Sequence, residues 1–204
     1  MNRSHLFSVF GMAIFLWSQS LQAQTELKFN VASAALLIPN VGIEIAVSKH
    51  SSVQLDVLAS FWDSFNGKPL QIIQVFPEYR YYFQAERQGF FLGAHVGFGM
   101  FTMQKPGFAV IYDQYQDPST YTNPDGSYQS GRATFYGLTA GFKKRFSSRW
   151  GLELFLGAGL AQSNYKGYNK FQRTDVTETN YRDFNGSGEW LLYRGGLMLV
   201  YRLN

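Results

Sequence analysis

His50 and His95, the two histidines after position 23, and three of the carboxylates, Glu44, Glu78 and Glu153, are of types that could do acid–base chemistry. A Ser-His-acid device needs an imidazole beside a hydroxyl and oriented by a carboxylate. His95 sits between Gly93 and Gly97, so the position two residues further on supplies no hydroxyl. The three glutamates could make a general-acid pair, but Arg80, Lys143 and Arg194 recur in the same pattern, and ion pairing is the simpler account. His50 falls in the short polar stretch Lys49-His50-Ser51, where a solvated turn residue is expected. The chain has no cysteine, which excludes thiolate metal sites, disulfides and cysteine nucleophiles. Asp113, Asp117 and Asp125 do not follow a calcium-loop pattern. No catalytic residue, metal or cofactor is expected.

Binding chemistry has a better candidate. Two long polar stretches, Met103 to Gly131 and Ser163 to Gly188, hold seven of the 13 tyrosines among Asn, Ser, Gln and Asp. Tyrosine offers a large contact area at low entropic cost, and this mixture suits recognition surfaces. Tyr112, Tyr115, Tyr165 and Tyr168 are the candidate contact residues for a surface partner.

The elements that must position these residues follow from composition and periodicity. The chain has 204 residues, one domain's worth, with only 16% charged residues and 18% aromatics. Ordinary soluble domains carry about 25% charged residues, so an apolar environment is expected around this one. A net charge of +4, dispersed along the chain, excludes a nucleic-acid footprint. Residues 1–23 carry one charge, Arg3, then an apolar run from Leu6 to Trp17 and a polar stretch ending at Ala23. That is the order of a secretory signal peptide, and the run is too short to span a membrane. Residues 24–204 are then the mature domain.

Alternation with period two dominates that domain. Apolar residues share one parity in eight segments, among them Leu27 to Leu37, Val41 to Val47, Val53 to Phe61 and Phe90 to Met100. The others are about Leu70 to Phe83, Tyr136 to Phe142, Leu152 to Leu160 and Leu191 to Leu203. Connections after the even-numbered segments are short, and those after the fifth and seventh are long. An all-β, eight-stranded antiparallel up-and-down transmembrane β-barrel with two long extracellular loops shows this asymmetry.

The other parity holds Glu44, Asp56, Glu78, Arg80, Lys143, Glu153, Arg194 and Arg202. Facing lipid, a basic residue would cost about 2–4 kcal/mol, so these eight are expected inside, paired as one network. A soluble lipocalin-like carrier would reverse the two faces. Pro77 should mark a bulge or strand end, and a phase shift there would displace Glu78 and Arg80. Phe61, Trp62 and Trp190 fall near one rim, and Tyr79, Tyr81, Phe83, Trp150 and Tyr201 near the other, as an interfacial aromatic belt would. Eight strands enclose room for side chains and not for an aqueous channel.

Three stretches carry a family resemblance: Pro39-Asn40-Val41-Gly42-Ile43-Glu44, Pro77-Glu78-Tyr79-Arg80-Tyr81-Tyr82 and Gly89-Phe90-Phe91-Leu92-Gly93-Ala94-His95. Together, from Glu26 to Asn204, the chain resembles small Gram-negative outer-membrane barrels grouped as a domain of unknown function, number 3575. The resemblance implies an outer-membrane β-barrel without an assigned activity. Arg194, Gly196, Leu199 and Tyr201 also resemble the last-strand signal read by the outer-membrane assembly machinery, although the chain ends in Asn204 and not an aromatic. The expected function is envelope-structural or surface interaction through the loops, with membrane lipids and the assembly machinery as partners. A lipid-modifying barrel enzyme, of acyltransferase or deacylase type, is the alternative reading.

Overall fold

β-branched and aromatic residues on alternate positions favour extended backbone, and their pairing decides the architecture. The computed structural model describes residues 24–64, 67–104, 127–169, 172–173 and 189–203; the signal-peptide expectation falls on residues outside these. The strands are β1 (Thr25–Asn30), β2 (Asn40–Ala46), β3 (Ser51–Asp63), β4 (Pro69–Tyr82), β5 (Gly89–Met103), β6 (Ser127–Arg145), β7 (Trp150–Asn169), the two-residue β8 (Gln172–Arg173) and β9 (Glu189–Arg202). Each long strand pairs antiparallel with its neighbours in sequence, and β9 pairs with both β1 and β7. The result is a closed eight-stranded barrel, with β8 a short addition to β7. Closure pairs the first strand with the last, so neither is the edge of an open sheet where they meet.

The first expected strand is shorter than its alternation. β1 stops at Asn30, and a five-residue helix, α1 (Val31–Ala35), follows. Asn30 caps it by accepting a hydrogen bond from the Ser33 amide at 3.2 Å, the usual service of an asparagine at a helix start.

The side chains partition as the alternation requires. Leu154, Leu138 and Phe90 project outward and are 60–68% exposed, whereas Glu153, Arg80 and Ser52 are fully buried inside. The apolar parity therefore forms the outer wall and the charged parity the interior, opposite to a lipocalin-like carrier. On β7 the outward residues run Trp150, Leu152, Leu154, Leu156, Ala158 and Leu160, then change to Gln162, Asn164 and Lys166. Ten residue steps at roughly 3.3 Å, tilted by about 40°, give an apolar band about 25 Å tall.

Pro77 does not shift the phase. The β4–β5 ladder omits Phe76 and Pro77, yet Val75↔Phe98 and Glu78↔His95 keep one register across the gap. A proline lacks the amide that would bond to a neighbouring strand, so the ladder skips it, and Glu78 and Arg80 stay inside.

The phase does break on β9. Gly157 pairs with Arg194 but Ala158 pairs with Leu192, so Tyr193 is an extra residue in a β-bulge. Tyr193, expected on the outward parity, turns in toward His95, and above the bulge Leu191 lies opposite the inward position Gly159.

Inward glycines make room for their neighbours' large side chains. A Cβ on Gly93 would lie 2.1 Å from Glu78 Oε1, and one on Gly159 would lie 2.2 Å from the Tyr136 carbonyl oxygen. The second contact is with backbone, which cannot swing aside. Gly159→Ala should therefore lower the unfolding free energy by roughly 1–3 kcal/mol, the usual cost of overpacking. Gly42→Ala, whose Cβ would have its nearest neighbour at 3.5 Å, should be close to neutral when both variants are compared by urea titration.

Candidate functional site: the barrel interior and its rims

Among the described residues, ten interior side chains, five acidic and five basic, are linked in a series of alternating charge. It begins at the short-turn end with Arg145, whose Nη2 is 3.0 Å from Glu26 Oε1. Glu26 meets Lys143 at 2.8 Å, and Lys143 meets Glu44 at 3.2 Å. Lys28 joins Glu44 to Glu153, the second contact at 2.5 Å. Arg80 then bridges Glu153 at 2.6 Å and Glu78 at 2.9 Å. Arg194 closes the series by reaching Glu78 and Asp56, both at 2.7 Å. Every member except the two ends has two partners of opposite sign, which is what burial of so many charges demands.

Neutral groups complete the set. Tyr82 donates to Glu44 at 2.7 Å, and Ser52 donates to the same carboxylate. Asn40 donates to Asp56, and Asn30 donates to Asn40 at 3.1 Å. Aromatic faces cover the cations: Arg80 lies 4.5 Å over the Phe91 ring, Lys143 4.5 Å over Tyr82 and Arg194 4.7 Å over Phe76. The Gln54 amide is fully buried among these groups, and neither of its polar atoms has a partner among the described residues.

Glu44, Asp56, Glu78, Arg80, Lys143, Glu153 and Arg194, all expected to form the network, belong to this series. Arg202 stands opposite Glu26 in the β1–β9 ladder and lines the short-turn mouth with Arg145 and Arg149. Glu26, Lys28 and Arg145 were not among the expected members. Glu26 and Lys28 occupy the polar parity of the first segment and were readable there; Arg145 sits past the end of the expected sixth segment.

Above the charges lies an aromatic layer. His95 Nε2 is 2.6 Å from the Tyr193 hydroxyl and Nδ1 is 3.0 Å from Thr139 Oγ1. Phe76 stacks on Tyr193 with ring centroids 6.0 Å apart, and Phe135 packs on Tyr193 at 4.8 Å. Both imidazole nitrogens thus meet hydroxyls, and neither meets a carboxylate among the described residues. His50 places Nδ1 3.0 Å from the Tyr82 carbonyl oxygen in the β2–β3 turn, as expected of a turn residue.

The long-connection end corrects the tyrosine expectation. β6 already begins at Ser127 and β7 continues to Asn169, so the two hairpin strands extend into both stretches assigned to loops. Tyr165 lies on β7, buried in the interior, with its ring 6.2 Å from Phe101. Tyr168, also on β7, stacks on Tyr128 at 5.2 Å across the β6–β7 ladder. Both therefore sit on a paired strand and not in a loop. Tyr112 and Tyr115 lie outside the described residues.

Residues 7–203 match the family described as "Protein of unknown function (DUF3575)". The chain belongs to that family. The match takes in every described strand of the barrel, so the ion-pair chain and the bulge are features of a DUF3575 domain. No curated protein and no solved structure matches this DUF3575 chain.

Proposed function

We propose that this DUF3575 protein is a non-enzymatic barrel of the Gram-negative outer membrane, exported by a leader cleaved after Ala23 and serving envelope structure or surface interaction. The observation that carries the reading is the inversion of the barrel: an apolar outer wall about 25 Å tall around a charged interior. That height matches the hydrocarbon core such barrels cross. Trp150 packs on Tyr201 at 4.7 Å at the short-turn rim, beside Tyr79, Tyr81 and Phe83 on the outward face, where an interfacial belt belongs.

The interior supports a closed scaffold. Ten paired charges and an aromatic layer occupy the space that a channel would need. His95 lacks the carboxylate that orients a catalytic imidazole. What remains for recognition is the end carrying the 104–126 and 170–188 connections, with Tyr112 and Tyr115 as candidate contacts. The last strand's Arg194, Gly196, Leu199 and Tyr201 would present the chain to the assembly machinery.

The test is heat-modifiable migration of the mature protein in detergent. A folded outer-membrane barrel should run at a different mobility before and after boiling, and unchanged mobility would sink the reading. Tyr112→Ser with Tyr115→Ser should leave that shift intact while lowering adhesion to envelope or cell-surface preparations. A change in lipid acylation on deleting the protein, restored by the wild type and not by His95→Ala, would establish the lipid-modifying alternative instead.

A further inference from the structure

The outer wall changes character near the long-connection end, and it does so unevenly around the barrel. In one outward row Met100, Arg132 and Asn164 lie opposite one another across β5, β6 and β7; in the next are Phe98, Thr134 and Gln162. On β4 the neighbours of Met100 and Phe98 are Ile73 and Val75. Apolar side chains on β4–β5 therefore adjoin polar and basic ones on β6–β7.

Two open grooves of about 580 and 650 Å³ lie there, and Ile73, Met100, Arg132 and Asn164 line both. Lys166, one row nearer the rim, lines the first. Among the described residues, no acidic side chain lines either groove. Among the described residues, Arg132 and Lys166 have no ion-pair partner, in contrast to the ten linked charges of the interior.

We infer that this wall binds the phosphate headgroup of a membrane lipid, held by Arg132 and Lys166, with its acyl chains along Ile73, Val75, Phe98 and Met100. The inference rests on the outer-membrane reading above. Arginine presents a planar fork of donors that matches phosphate oxygens, and the Gln162 and Asn164 amides add neutral donors beside it. A free anion would use only the cations. A lipid satisfies both halves of the groove, because the apolar half needs hydrocarbon and the basic half needs negative charge.

The experiment titrates the full mature protein in detergent with phosphatidic acid or with diacylglycerol of the same chains, read by native mass spectrometry. Phosphatidic acid should be retained in preference to diacylglycerol. The variant Arg132→Gln/Lys166→Gln should lose that preference by roughly tenfold or more, and Arg132→Lys, which keeps the charge and loses the fork, should fall between it and the wild type. Glycerol 3-phosphate at matched concentration should not compete. Equal retention of both lipids by the wild type, an undiminished preference in the double variant, or full competition by glycerol 3-phosphate each overturns the site. Heat-modifiable migration is recorded for every sample. A wild type that shows no shift overturns the membrane reading and the site with it, whereas a shifted wild type without lipid preference overturns the site alone.

Discussion

Replacing Glu153 with Gln should lower the barrel's unfolding free energy by roughly 3–5 kcal/mol, the cost of removing one partner from a buried ion pair. Glu153 is fully buried and is the one carboxylate joining Lys28 to Arg80. Its neutralisation cuts the chain of charges in the middle and leaves five cations facing four anions inside. Arg145 gives the contrast. It is the terminal member, its side chain is 17% exposed, and Glu26 keeps Lys143 when it is lost. Arg145→Gln should therefore cost about 1 kcal/mol or less, as a water-reachable ion pair does. Urea titration of the protein folded in vesicles measures both. A second comparison tests the connectivity itself. Lys28→Gln combined with Glu153→Gln restores equal numbers of acids and bases, so the double variant should cost less than the sum of the singles. Equal losses at Glu153 and Arg145, or strict additivity of the double, would show that the charges act as separate pairs.

The sequence carried this interior further than it carried the rims. Period-two alternation placed seven of the network residues on the correct face, because a closed barrel with an apolar outside allows only one phase for each strand. Glu26 and Lys28 obey the same rule: Lys28 lies between Leu27 and Phe29, and Glu26 takes the same parity just before Leu27. Two things alternation could not supply. It counts residues, so it cannot foresee a bulge, and the extra residue at Tyr193 changed the facing of Tyr193 and Leu191 together. It also reads polarity as loop. Above Leu160 the outward positions Gln162, Asn164 and Lys166 are polar although the strand continues, because β6 and β7 pair with each other beyond the apolar band. Tyr165 and Tyr168 were misplaced for that reason. Pro77 was the opposite case: a residue that suggests a break, accommodated by omitting two bridges at constant register.

Leu154→Arg decides what surrounds the wall. Leu154 projects outward, 60% exposed, between Phe142 on β6 and Leu197 on β9. It lies near the middle of the apolar run from Trp150 to Leu160. If hydrocarbon surrounds that run, an arginine there should cost about 2–4 kcal/mol, the price near a bilayer midplane. If water surrounds it, the same change would replace an exposed leucine by a better-solvated side chain and cost within about 0.5 kcal/mol. Asn164→Arg, on the same strand and parity but beyond the band, should be close to neutral in either case. The pair is compared by urea titration after folding into phosphatidylcholine vesicles, with heat-modifiable migration confirming the folded state. A Leu154→Arg variant as stable as Asn164→Arg would mean that lipid does not cover the middle of the wall. A loss confined to Leu154→Arg puts hydrocarbon against the leucines of β7 and leaves the charged parity no place but inside.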